Sequence, residues 1–147
     1  MLSRRSLLVA APVIGGVLLA ACGKPDDPQA SLEAAVQRLQ DALEVRQTDE
    51  VLRLLDPRFR AQDELDAEWA RKTMTLVFQR FSQVRVIAVN RQSRIDEGSA
   101  GRVGRTTAQV LLTGAQGLLP ERAEPYVLEL VWWREGEDWK LRDLRWS

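Results

Sequence analysis

The sixteen residues VWWREGEDWKLRDLRW, Val131 to Trp146, constrain this chain more than any other stretch, because they hold four of its five tryptophans. Apolar and polar residues alternate on both sides of Gly136-Glu137, which is the pattern of two strands joined by a two-residue turn. With that turn, Glu135 opposes Asp138, Arg134 opposes Trp139, Trp132 opposes Leu141 and Glu129 opposes Leu144. One face then collects Tyr126, Leu128, Leu130, Trp132, Trp139 and Leu141, a set too apolar to leave in water, since each large side chain contributes about 1.5–3 kcal/mol when buried. The opposite face carries Val127, Glu129, Val131, Trp133, Lys140, Arg142, Leu144 and Trp146. Aromatic residues and arginines in such a mixture are enriched at protein interfaces, although a covering loop of the same chain would also suit it.

A chain of 147 residues, 45% hydrophobic and 29% charged, is long enough for one domain with a real core. The sequence has no histidine, so His-based triads, His-assisted Cys nucleophiles and His-ligated zinc or iron are excluded. It has one cysteine, which rules out an internal disulfide and a Cys-rich metal site. No cofactor signature is present: the glycines at 98, 101, 104 and 114 follow no phosphate-binding pattern. Basic and acidic residues number 21 each, and the basic count falls to 19 if Arg4 and Arg5 are cleaved away. That balance gives no reason to expect nucleic acid as a partner.

The first 21 residues read as a signal peptide: a basic start, then an uncharged run from Leu7 to Ala21 that is short for a membrane span and broken by Pro12 and Gly15-Gly16. Leu19-Ala20-Ala21-Cys22 resembles the bacterial lipobox. That resemblance implies cleavage between Ala21 and Cys22, acylation of the Cys22 thiol and stable membrane anchoring, at about 0.8 kcal/mol per buried methylene. Gly23 stands where Asp would mark inner-membrane retention in enteric bacteria, so the expected location is the outer membrane, facing the periplasm. Ser3 to Leu8 also resembles the twin-arginine export motif, although the same arginines serve as the positive start of an ordinary signal. Residues 22–30 then form the acylated cysteine and a short tether, of which Gly23 to Ala30 reaches at most about 26 Å, and residues 31–147 form the domain.

Helical spacing runs through Leu32, Val36, Leu39 and Leu43, with Ser31 placed to cap. Thr48 or Asp49 can start a second helix that ends before Pro57, and Asp63 or Asp66 a third, carrying Leu65, Trp69, Leu76, Val77 and Phe81. Strands are expected over 84–90, 106–113, 126–134 and 139–146. Helices first and strands after predict an α+β fold, three N-terminal helices packed on a bent antiparallel sheet. The order helix, short helix ending in LLDPRF, longer helix and closing WWREGEDWKL hairpin resembles the nuclear-transport-factor-2-like (SnoaL-like) superfamily. The resemblance implies a cone-shaped domain over residues 31–147, ligands held at its open end and homodimers formed through the outer sheet face, here Val131, Trp133, Leu144 and Trp146.

In the expected register Asp143 and Arg145 follow Leu141 on the inward face, and Tyr126 lies diagonally near Arg145. The three would meet at the open end as a site for a small hydrophobic or anionic ligand. Asp143 as base with Tyr126 as oxyanion donor would resemble the isomerases of the superfamily, whereas its dehydratases depend on a histidine this chain lacks. The plainer alternative is that Asp143 pairs with an arginine and serves only the strand end. Asp63, Glu64, Asp66 and Glu68 fit a helix N-terminus better than a calcium site. Gly117-Leu118-Leu119-Pro120 reads as a loop tip tucked under the sheet. The reading that these features favour is a non-enzymatic binding or assembly module anchored to the envelope. Cys22→Ser is expected to leave an uncleaved, unacylated precursor in the membrane fraction, read by mass spectrometry; acylated product from that variant would refute the lipobox assignment.

Overall fold

In a computed structural model that describes residues 27–114, 117–118 and 125–147, α1 (Pro28–Glu44) begins three residues ahead of Ser31. The signal segment, Cys22, Leu119 and Pro120 lie outside the described residues. Asp27, not Ser31, is the cap: its carboxylate accepts the N–H groups of Gln29 and Ala30 at 3.0 and 3.3 Å, and Pro28 occupies a position where a helix needs no donor. Ser31 is freed for tertiary bonding: its hydroxyl donates to the Pro28 carbonyl and accepts the indole N–H of Trp139 at 2.8 Å. α2 (Thr48–Arg53) starts after Gln47 without a side-chain cap. α3 (Ala67–Arg80) is capped by Asp66, whose carboxylate accepts the Trp69 N–H at 3.0 Å.

Between α2 and α3 the chain forms a strand that the sequence pattern does not announce, β1 (Leu55–Ala61). It pairs in parallel with the last strand at one edge of the sheet, so the sheet is mixed and not purely antiparallel. Pro57 is tolerated there because an edge strand has one side free of ladder bonds. The remaining strands are β2 (Val84–Ile95), β3 (Val103–Gly114), the short β4 (Gly117–Leu118), β5 (Tyr126–Glu135) and β6 (Asp138–Trp146). Their order is β1-β6-β5-β3-β2, with β4 beside β3. β2 is the other edge, and α1 runs along it. Gln29 and Gln40 donate to the carbonyls of Ser93 and Val86 at 2.7 and 3.1 Å, and Arg91 reaches Gln37 and Gln40 at 3.0 Å each. These side chains satisfy edge groups that would otherwise face water or another chain.

The helices cover one face of the sheet. Against it lie Leu32, Ala35 and Val36 of α1, Phe59 and Ala61 of β1, Leu130 and Trp132 of β5, and Trp139 and Leu141 of β6, all buried. A second cluster of Ala42, Val51 and Met74 joins the three helices to one another. Both hairpin tryptophans expected in the core are there: Trp132 is fully buried and Trp139 nearly so.

Gly104 marks where α1 presses closest on the sheet. A Cβ built there would lie 2.5 Å from Cδ2 of Leu32, a side chain with no exposed surface. Since Leu32 has nowhere to withdraw, Gly104→Ala is expected to destabilise the fold by about 1–3 kcal/mol, as overpacked cores do. Urea unfolding checks this, and Leu32→Ala in the same chain should remove much of the penalty; an unchanged midpoint for Gly104→Ala alone would show that α1 does not sit this close.

Candidate functional site

One residue in β6 redistributes the groups that the sequence pattern assembles into a site. Trp132 pairs with Leu141 and Arg134 with Trp139 as expected, but Val131 pairs with Asp143, so Arg142 has no opposite number. It forms a β-bulge, and past it every side chain falls on the face opposite to that of a regular strand. Leu144 therefore pairs with Leu130, not Glu129, and Trp146 pairs with Leu128. Both pack against the core, Trp146 stacking on Trp69 of α3 with ring centroids 5.7 Å apart and planes 14° from parallel.

The expected cluster of Tyr126, Asp143 and Arg145 is not formed. Tyr126 begins β5 opposite Val110, half-buried on the helix-covered face. Asp143 and Arg145 sit opposite Val131 and Glu129 on the other face, where Asp143 also neighbours Arg60 of β1. Arg145 donates to the carboxylate of Asp63 at 2.6 Å, with both side chains largely exposed. In the same way, the expected outer set splits: Val131 and Trp133 remain on the outer face, and Leu144 and Trp146 move to the inner one. Neither Asp66 nor Glu68 is free for a metal, because Asp66 caps α3 and Glu68 pairs with Arg71.

Polar groups under the helices are bonded to one another. Thr106, almost fully buried, accepts the Trp132 indole N–H at 3.2 Å and shares a 2.8 Å bond with the Ser93 hydroxyl. Asp56 and Thr106 are the buried polar side chains among the described residues. Asp56 lies near the start of β1, accepts the Arg58 N–H at 2.7 Å and faces the Arg142 guanidinium at 3.5 Å. Each of these groups has a hydrogen-bonding partner within the fold. Two open surface depressions of about 490 and 540 Å³ lie elsewhere, around Arg46 at the end of α1, lined by residues such as Val45, Gln83 and Arg85 in one and Thr48, Glu50 and Arg53 in the other.

The outer face of the sheet is different in character. Among the described residues six large apolar side chains are exposed, and four of them lie on this face: Ile87 at 45%, Val89 at 46%, Val127 at 49% and Trp133 at 39%. Cross-strand pairing joins Ile87 to Leu111, Val89 through Gln109 to Val127, and Val103 to Trp133. A polar row, Gln92, Thr107, Glu129 and Arg145, runs between two apolar patches. Over Trp133 lies the Arg142 guanidinium, 3.9 Å from the ring centroid, a cation–π contact. The hairpin reading named Val131 and Trp133 but missed β2's contribution, since Ile87 and Val89 gain meaning only once β3 places them beside Val127.

Thr106→Val keeps the volume of the side chain but removes the acceptor for Trp132. It is expected to cost about 1–3 kcal/mol, the penalty of an orphaned buried donor. Ser93→Ala, which leaves that acceptor in place, should cost less; equal losses in chemical denaturation would contradict the role given to Thr106.

No protein-family model matches this sequence, and no curated protein sequence matches it. Solved structures do match. A candidate dehydratase of the nuclear-transport-factor-2-like family from Streptomyces avermitilis superposes with a TM-score of 0.66 at 14% identity, over 84% of this chain and 96% of its own. A candidate ketosteroid isomerase from Shewanella frigidimarina gives 0.61 at 15% identity, over 82% and 97%. A Bdellovibrio bacteriovorus protein gives 0.68 at 10% identity over 80% of this chain, which spans only 40% of that longer protein. At such identities the likeness concerns the fold: three N-terminal helices on a mixed sheet in the nuclear-transport-factor-2-like arrangement.

Proposed function

We propose that this protein is a lipid-anchored envelope component, held through Cys22 and facing the periplasm, whose domain acts without catalysis as a binding and assembly module. It works as a homodimer through the outer face of its sheet. The observation that carries this reading is the concentration of exposed Ile87, Val89, Val127 and Trp133 on that single face. Exposed apolar patches bordered by polar residues favour association. A two-fold interface brings a surface against its own copy, and the polar row supplies both signs for it in Glu129 and Arg145.

A second reading, an isomerase or lyase with Asp143 as base and Tyr126 as oxyanion donor, finds no support in this geometry, since the two lie on opposite faces of the sheet. The buried carboxylate, Asp56, is already engaged by Arg58 and Arg142.

The test is sedimentation equilibrium of the detergent-solubilised full chain. Wild type is expected to dimerise, and Trp133→Glu to weaken association more than tenfold, because an unpaired charge would be buried in each half of the interface. Val127→Glu should act in the same direction, with circular dichroism confirming that both variants fold. A monomeric wild type, or dimers that persist in both variants, would overturn the assignment of this face.

A further inference from the structure

The start and the end of α1 mark two opposite poles of the domain. α1 starts at Pro28, and three chain segments converge around that start. A Cβ on Gly101, in the turn between β2 and β3, would touch the Pro28 ring at 3.4 Å. The carbonyl of Arg102 in the same turn accepts the backbone N–H of Arg134 at 2.8 Å, which brings in the β5–β6 turn at Gly136-Glu137. The opposite pole holds the end of α1, the start of β2 and the end of β3: Gln40 bonds Val86, Arg46 bonds the Phe78 carbonyl at 3.3 Å, and Val84 pairs with Gly114. The twelve residues of β2 separate the poles by about 35 Å.

Five residues lead from Cys22 to Asp27, a span of at most about 18 Å even when fully extended. This is shorter than the tether expected from sequence, because the helix begins before Ser31. We infer that the pole formed by the start of α1, the β2–β3 turn and the β5–β6 turn is the end of the domain that faces the lipid headgroup layer. The inference rests on the acylation of Cys22 proposed above.

The charge of that pole adds a second feature. Asp27, Glu97, Glu135, Glu137 and Asp138 are exposed there, against Arg102 and, one rung behind the β2–β3 turn, Arg94 and Arg105. A surface of this sign is repelled by anionic headgroups over roughly one Debye length, about 8 Å at physiological salt. The domain is therefore tethered and held off the bilayer, not adsorbed on it, with the pole around Gln83 and Arg46 directed into the aqueous space.

Energy transfer to a headgroup-labelled acceptor lipid tests this directly. The acylated full chain, bearing Glu97→Cys or Gln83→Cys labelled with one fluorophore, is reconstituted in phosphatidylethanolamine–phosphatidylglycerol vesicles; acylation leaves Cys22 without a free thiol. Transfer is expected to be several-fold stronger from position 97 than from position 83. Equal transfer, or stronger transfer from 83, in a chain shown by mass spectrometry to be acylated would overturn the orientation while leaving the anchor intact. An unacylated chain that does not bind vesicles would overturn the anchor and the orientation with it.

Discussion

Arg142 takes up a backbone position in β6 that β5 cannot pair, and the character of both sheet faces depends on it. Without it, Leu144 and Trp146 would point outwards and Asp143 and Arg145 inwards, leaving two charges under the helices and two large apolar groups in water. Its guanidinium is held from two sides, stacked on Trp133 at 3.9 Å and facing the buried Asp56 carboxylate at 3.5 Å. Asp56 is in place because LLDPRF turns from α2 into the edge strand β1, so the bulge, the parallel edge and the burial of Trp146 against Trp69 form one arrangement. Removing one member of such a pair costs more than the pair contributes, since the remaining charge stays buried.

The consequence is a division of labour between the faces. Under the helices, polar groups such as Thr106, Ser93, Ser31 and the two buried indoles bond one another, and the space is filled by Leu32, Phe59 and Trp132. Outside, Ile87, Val89, Val127 and Trp133 stay partly exposed. A lipid anchor close to the start of α1 would hold the strands end-on to the membrane and leave this face open sideways, where a second copy on the same bilayer can approach it.

Much of the fold was legible in the sequence because it rests on local periodicity. The three helices, the four long strands, the Gly136-Glu137 turn and the burial of Trp132 and Trp139 all follow from spacings within one element or one hairpin. What was not legible depends on distant partners. Nothing in LLDPRF marks it as a strand until β6 lies beside it, and an alternating pattern carries no sign of an extra residue when Arg142 continues the polar series. The register error at that residue transferred Asp143 and Arg145 to the wrong face and so created a candidate site that the fold does not assemble. Asp27 and Ser31 are both capping residue types ahead of Leu32, and only the tertiary bond from Trp139 to the Ser31 hydroxyl distinguishes them.

The register of the last hairpin past Arg142 decides which side chains each face of the sheet carries. Interstrand backbone NOEs in the folded protein measure it without mutation. The bulged arrangement predicts cross-peaks that place Leu144 opposite Leu130 and Trp146 opposite Leu128, beside those that pair Trp132 with Leu141. Cross-peaks pairing Leu144 with Glu129 in an unbroken ladder would contradict it, and would return Asp143 and Arg145 to the face beneath the helices.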